Sequence, residues 1–171
     1  MRWLALLVML VVMTPMSTAT QSGETTQIKE AYFSIRLPGH WKLSTKEERR
    51  GLFIYTCQDS DEQLTVSIFP ARPKLEAGEL DEKFNAFIRI RRDAEQKGDP
   101  AIVLMETKVT RLSDAITGFH QGRSGSGRLT ANFAIVNSTG FANFYYEAPT
   151  LPPTQFAPRV QSILSDVYFA N

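Results

Sequence analysis

The chain is dominated by short apolar runs with a two-residue period, several of them joined by links too brief to hold a crossover helix. In the first, Phe33, Ile35 and Leu37 alternate with Tyr32, Ser34 and Arg36 until Pro38 and Gly39 stop the run. Similar runs follow at 52–57, 64–69, 102–109, 115–121, 129–136 and 141–146. This is the period of a strand with one buried face. The links Gln58-Asp59-Ser60-Asp61, Ser124-Gly125-Ser126-Gly127 and Asn137-Ser138-Thr139-Gly140 consist of turn-forming residues. Links of that length join neighbouring strands as antiparallel hairpins, so the pattern predicts a mainly antiparallel sheet of about six or seven strands.

Two segments keep a helical period instead. Between Gly78 and Gly98, the residues Leu80, Phe84, Phe87 and Ile88 fall on one stripe. Asp81 and Glu82 open this segment and Arg91, Arg92 and Lys97 close it, which complements the helix dipole at both ends. Near the C-terminus Thr154 is placed to cap a second helix carrying Phe156, Val160, Ile163, Leu164 and Val167. Each stripe needs a partner surface, and a sheet face is the available one. The expected fold class is α/β, with helices flanking one antiparallel sheet as an α/β/α sandwich.

The N-terminus has the three parts of an export signal: Arg2, an unbroken apolar stretch from Leu4 to Met13, and the small residues Ser17, Thr18 and Ala19. The stretch is shorter than the roughly 20 apolar residues that span a bilayer, and Pro15 interrupts it. The expectation is a signal peptide over residues 1–19, a flexible polar leader over 20–30 and one α/β domain over 31–171, periplasmic or secreted. The only cysteine, Cys57, lies far from the cleavage point, so no lipid anchor is expected there, and it reads as a small buried hydrophobe. Without Arg2, the formal net charge of +1 falls to zero. A neutral chain lacks the cationic surplus that phosphate backbones require, which argues against nucleic acid as a partner.

The run Phe33-Ser34-Ile35-Arg36-Leu37-Pro38-Gly39-His40-Trp41 resembles the opening of PsbP-like domains, in which an apolar strand runs into Pro, Gly and Trp. The hairpin of Gly51-Leu52-Phe53-Ile54-Tyr55 and Leu64-Thr65-Val66-Ser67-Ile68, the aromatic strand Ala142-Asn143-Phe144-Tyr145-Tyr146 and the tail Ile163-Leu164-Ser165-Asp166-Val167-Tyr168-Phe169 extend the resemblance over nearly all of 31–169. These motifs are structural: Pro38 and Gly39 turn the chain, and Trp41 is expected to plug one end of the core. The resemblance implies a function of binding other proteins. The fold serves extrinsic photosynthetic subunits, a nuclear-import factor that binds a small GTPase, and bacterial proteins that bind type VI secretion effectors as chaperones or immunity proteins. It implies no catalytic residue and no cofactor.

Nothing in the residues themselves argues for chemistry. A hydrolase triad needs a base beside its nucleophile, and the two histidines, His40 in a turn and His120 on a strand, read as structural. Residues 122–126, Gly-Arg-Ser-Gly-Ser, lack the second glycine of a nucleophile elbow. One Cys and two widely separated His match no zinc spacing, and Asp59-Ser60-Asp61-Glu62 has only the first step of a calcium loop. The candidate partner-binding residues are Arg123, Ser124, Ser126 and Arg128, whose glycine-rich loop could present amides and guanidiniums to an acidic surface, together with Asp59 and Asp61. The expected function is therefore that of an exported, non-enzymatic protein-binding module. Its most concrete form is a periplasmic immunity protein against a type VI toxin. The alternatives are a scaffold subunit of an envelope complex and a small-ligand carrier with a cleft between sheet and helix.

Overall fold

The computed structural model of the protein describes residues 26–29, 33–37, 40–47, 51–165 and 167–169. In chain order the elements are β1 (Thr26–Lys29), β2 (Phe33–Leu37), β3 (Trp41–Glu47), β4 (Leu52–Cys57), β5 (Gln63–Pro70), α1 (Leu80–Gly98) and β6 (Val103–Leu104). There follow β7 (Lys108–Arg111), β8 (Ala115–Arg123), β9 (Leu129–Asn137), β10 (Gly140–Ala148), α2 (Pro153–Ser165) and β11 (Val167–Phe169). Eight strands form one sheet in the order β3-β4-β5-β10-β9-β8-β6, with β7 also pairing on β8, and every pairing in it is antiparallel. The three turn-rich links are the connections of the hairpins β4–β5, β8–β9 and β9–β10, as their lengths require.

The strand count exceeds the expectation because β3 has no apolar alternation: it is an edge strand with a single buried residue, Trp41, and its register shifts between Leu43 and Thr45. β2 pairs with β1 and β11 in a separate three-stranded sheet. Thr26–Lys29 lies in the segment expected to be leader, yet it forms β1, because backbone pairing with β2 supplies the order that its side-chain pattern does not announce. The signal segment lies outside the described residues, as do Pro38 and Gly39. No helix among the described residues is long and apolar enough to cross a membrane.

Two further boundaries differ from the pattern. The run at 102–109 divides into β6 and β7, because the intervening backbone is pinned to α1: Arg92 Nη1 donates to Met105 O at 2.7 Å and to Thr107 Oγ1 at 3.3 Å. α2 starts at Pro153 rather than after a Thr154 cap. Proline suits the first helical position, where its missing N–H is not needed, and the Pro152 carbonyl accepts from Gln155 N at 2.9 Å. Val167, read as part of that helical stripe, falls in β11.

α1 lies on one face of the sheet and α2 on the other, where the larger core gathers. Trp41, Phe53, Tyr55, Leu64, Val66, Phe144 and Tyr146 meet Phe156, Val160 and Ile163 of α2 there. Cys57 is buried among them as a free thiol. Opposite, Leu80, Phe84, Phe87 and Ile88 of α1 pack on Ile116, Ala134 and Val136. Gly118 permits this approach: a Cβ there would sit 2.5 Å from Phe84 Cζ.

The α2-side core encloses one carboxylate. Glu62 Oε2 accepts from Tyr146 Oη at 2.6 Å and from Arg159 Nε at 3.1 Å, and Oε1 accepts from Ser60 Oγ at 3.0 Å. Burial, and then the bond to Glu62, raises the Tyr146 phenol above its ordinary value of 10.0. Tyr145 is raised by burial and then by Glu147 and Glu95. A native state that holds phenolic protons more tightly than the unfolded chain has that stabilisation in full below pH of about 10 and loses it as pH rises further. Urea unfolding between about pH 9 and 11 should therefore show stability falling by up to about 1.4 kcal/mol per pH unit from Tyr146, and Tyr146→Phe should remove that share of the slope.

Candidate functional site

Strand alternation divides the sheet face under α1 into two halves. Near the N-terminal half of the helix the face is apolar, whereas toward its C-terminal half it becomes polar: His120 of β8, Thr130 and Asn132 of β9, and Asn143 and Tyr145 of β10. Register gathers these residues, with His120 and Tyr145 both opposite Asn132, and Ser67 of β5 opposite Asn143. α1 closes over them with Arg91, Ala94, Glu95, Gly98 and Asp99, leaving an open cleft of about 380 Å³.

Glu95 organises the floor. Its Oε1 accepts from Asn132 Nδ2 at 2.7 Å and from His120 Nε2 at 3.0 Å. Both donors come from adjacent strands, so the carboxylate ties the helix to β8 and β9. At the mouth, the Arg91 guanidinium carbon lies 5.5 Å from the ring centroids of both Phe69 and Phe87, a cation–π arrangement. Burial lowers the Arg91 pKa, an effect opposed by Glu95 one turn along. Asp99 fixes the rim: Oδ2 accepts from Gly125 N at 2.9 Å and Oδ1 from Ala101 N at 3.0 Å.

The loop Arg123–Arg128 forms part of that rim. Ser124 is buried; its Oγ lies 2.8 Å from Ser126 Oγ and accepts from Arg128 N at 2.9 Å. Gly127 takes φ +86°, a conformation that favours glycine. The structure does not bring the two arginines together. Arg128 lines the cleft with Nη1 3.6 Å from Glu147 Oε2, while Arg123 is exposed at the end of β8 on the opposite alternation. Asp59 and Asp61 are exposed in the β4–β5 turn at the same end of the sheet, and Asp61 Oδ1 accepts from Thr150 Oγ1 at 2.7 Å. Sequence reasoning singled out Ser124 and Arg128, which line this cleft, and read His120 as structural, but it did not single out Glu95, Asn132 or Asn143. The available signal was the placement of polar residues in strands whose alternate positions are nearly all buried.

A second surface lies at the β6–β7 edge of the sheet. Val103, Met105, Val109 and Leu112 are 70%, 59%, 43% and 48% exposed. Met105 also lines a groove of about 680 Å³ between this edge and α2, floored by Phe119, walled by Ala157, Val160 and Leu164, and edged by the polar Glu106, Lys108 and Gln161. No group of three or more metal-ligating side chains occurs among the described residues.

No family model and no curated protein matches the chain. Among solved structures, cyanobacterial PsbP from Synechocystis is similar, with a TM-score of 0.62 at 15% identity over 92% of this chain and 100% of that one. The Ran-binding protein Mog1p of Saccharomyces cerevisiae aligns with a TM-score of 0.49 at 9% identity, over 86% of this chain and 96% of its own. An antiparallel sheet carrying one helix on each face, superposable on PsbP over its whole length, identifies the architecture: the chain has the PsbP-like fold.

Proposed function

We propose that the protein is a non-catalytic binding module that receives a protein partner on the β6–β7 edge and the groove beside α2. The exposed apolar side chains Val103 and Met105, which lie beside Arg123 and Gln121 of β8, support this reading, with Val109 and Leu112 exposed farther along the edge. Adjacent exposed apolar side chains such as Val103 and Met105 form the kind of surface at which partners bind, and burying each large one contributes about 1.5–3 kcal/mol. Among the described residues β7 pairs with β8 alone, so its other edge offers backbone groups to an added strand. The most concrete version of the reading is an exported immunity protein whose partner is a secreted type VI toxin; the alternative within it is a scaffold subunit of an envelope complex.

The test is affinity capture of a tagged protein from the envelope and secreted fractions of its own organism, in parallel with the Val103→Glu, Met105→Glu double variant. Both substitutions fall on exposed positions, so thermal stability should change little. We expect a partner captured by the wild type and lost by the variant. A single secreted toxin would support immunity, and a resident complex a scaffold. Equal capture by both proteins, or no partner at all, would overturn the assignment of this edge.

A further inference from the structure

Several buried polar atoms around the α1 cleft lack a partner: the donors Arg91 Nε and Arg128 Nε on its walls, and a larger set of acceptors on its floor. Glu95 Oε1 has two donors, whereas Oε2 is buried without any. A carboxylate can only accept, so the Asn132 atom facing Glu95 is the amide nitrogen. Its buried Oδ1 is thereby left as an acceptor with no partner, and Asn143 Oδ1 on the neighbouring strand is in the same position. All three side chains line one open cleft. Buried polar atoms are nearly always paired, and clustered exceptions call for a cause.

The charges around the floor indicate the sign of what would satisfy it. Asp99 is committed to the rim amides Gly125 and Ala101, and Glu147 to Arg128. Arg91 lies over Phe69 and Phe87 at the mouth. Glu95 remains as a carboxylate held by a histidine and an amide, its second oxygen buried without a partner and its charge facing Arg91 one turn away. A desolvated carboxylate among acceptors favours a donor-rich cation and repels an anion.

We propose that this cleft binds an organic cation of side-chain size, a guanidinium or primary ammonium, which donates to Glu95 Oε2, Asn132 Oδ1 and Asn143 Oδ1. Ammonium offers three donors and guanidinium five, enough for all these acceptors. This site lies on the opposite face of the sheet from the α2 groove and does not depend on the reading of that groove. The same chemistry is available from a free small molecule or from an arginine or lysine side chain presented by a protein.

Titration of the purified protein, followed by amide NMR shifts and calorimetry, tests the proposal with three probes: L-arginine, a blocked peptide carrying one internal arginine, and L-citrulline, the uncharged isostere. Arginine should shift the signals of Glu95, Asn132 and Asn143, and citrulline should bind at least about tenfold more weakly. Glu95→Gln should cost at least about tenfold in arginine affinity. Ala94→Trp, on an exposed helix position lining the cleft, should block binding without disturbing the buried polar groups. Tighter binding of the peptide would identify the ligand as a protein side chain, and binding of free arginine alone would identify a small molecule. No shift with either arginine probe up to about 10 mM, citrulline binding equal to arginine, or unchanged affinity in both variants would overturn the proposal.

Discussion

Trp41→Ala is expected to destabilise the protein by about 3–5 kcal/mol, the range for removing a large aromatic side chain from a packed interior. Trp41 opens an edge strand whose other residues are largely exposed, yet its own ring is 1% exposed and stands 6.4 Å, centroid to centroid, from that of Tyr146. It reaches from the edge into one end of the α2-side core, so collapse of β3 cannot refill the space without breaking the pairing of Trp41 with Cys57. Domains of this size are stabilised by about 5–15 kcal/mol in total. The melting temperature should fall by roughly 6–20 °C, and the urea midpoint should fall with an unchanged slope. Trp41→Phe should recover more than half of the loss. A deficit under about 1 kcal/mol for the alanine variant would mean that the ring is not a core component.

Glu62→Ala is expected to cost about 2–4 kcal/mol, because it orphans a donor in the same core. The Tyr146 hydroxyl is buried and donates to Glu62 at 2.6 Å, a short charge-assisted bond. Arg159 is partly exposed and can turn to water when the carboxylate goes; Tyr146 cannot. The effect should therefore depend on the hydroxyl. In a double-mutant cycle, Glu62→Ala combined with Tyr146→Phe should cost less than the sum of the two single changes by at least about 1 kcal/mol. Additivity within about 0.3 kcal/mol would rule out the bond as the source of the loss.

The sheet was legible in the sequence where alternation and turn residues act locally. The hairpins β4–β5, β8–β9 and β9–β10 and the helix over Leu80–Gly98 follow from side-chain period and from links too short for any other connection. The strands that escaped, β1, β3 and β11, show no apolar alternation long enough to read, and each takes its place by backbone pairing with a neighbouring strand. The same distinction explains the helix start at Pro153 and the break between β6 and β7. Both are decided by contacts, a prolyl carbonyl and the Arg92 guanidinium, that no period encodes.

The candidate sites divide in the same way. Ser124 and Arg128 stood out because a glycine-rich loop between two strands is visible along the chain, and both belong to the α1 cleft. Glu95, Asn132 and Asn143 did not, since each looks ordinary within its own helix or strand and they are 37 and 48 positions apart from Glu95 in the chain. By itself the sequence determined an antiparallel sheet, its hairpins and the apolar stripes of its two helices, since these depend on periods of 2.0 and 3.6 residues that any short segment displays. Only the tertiary structure decided that a carboxylate of one helix would meet a histidine and an amide of two adjacent strands with acceptors to spare, and that apolar side chains would be left exposed along the β6–β7 edge. Both outcomes depend on register and on which face each helix covers, and those are set by packing between distant segments rather than by any local pattern.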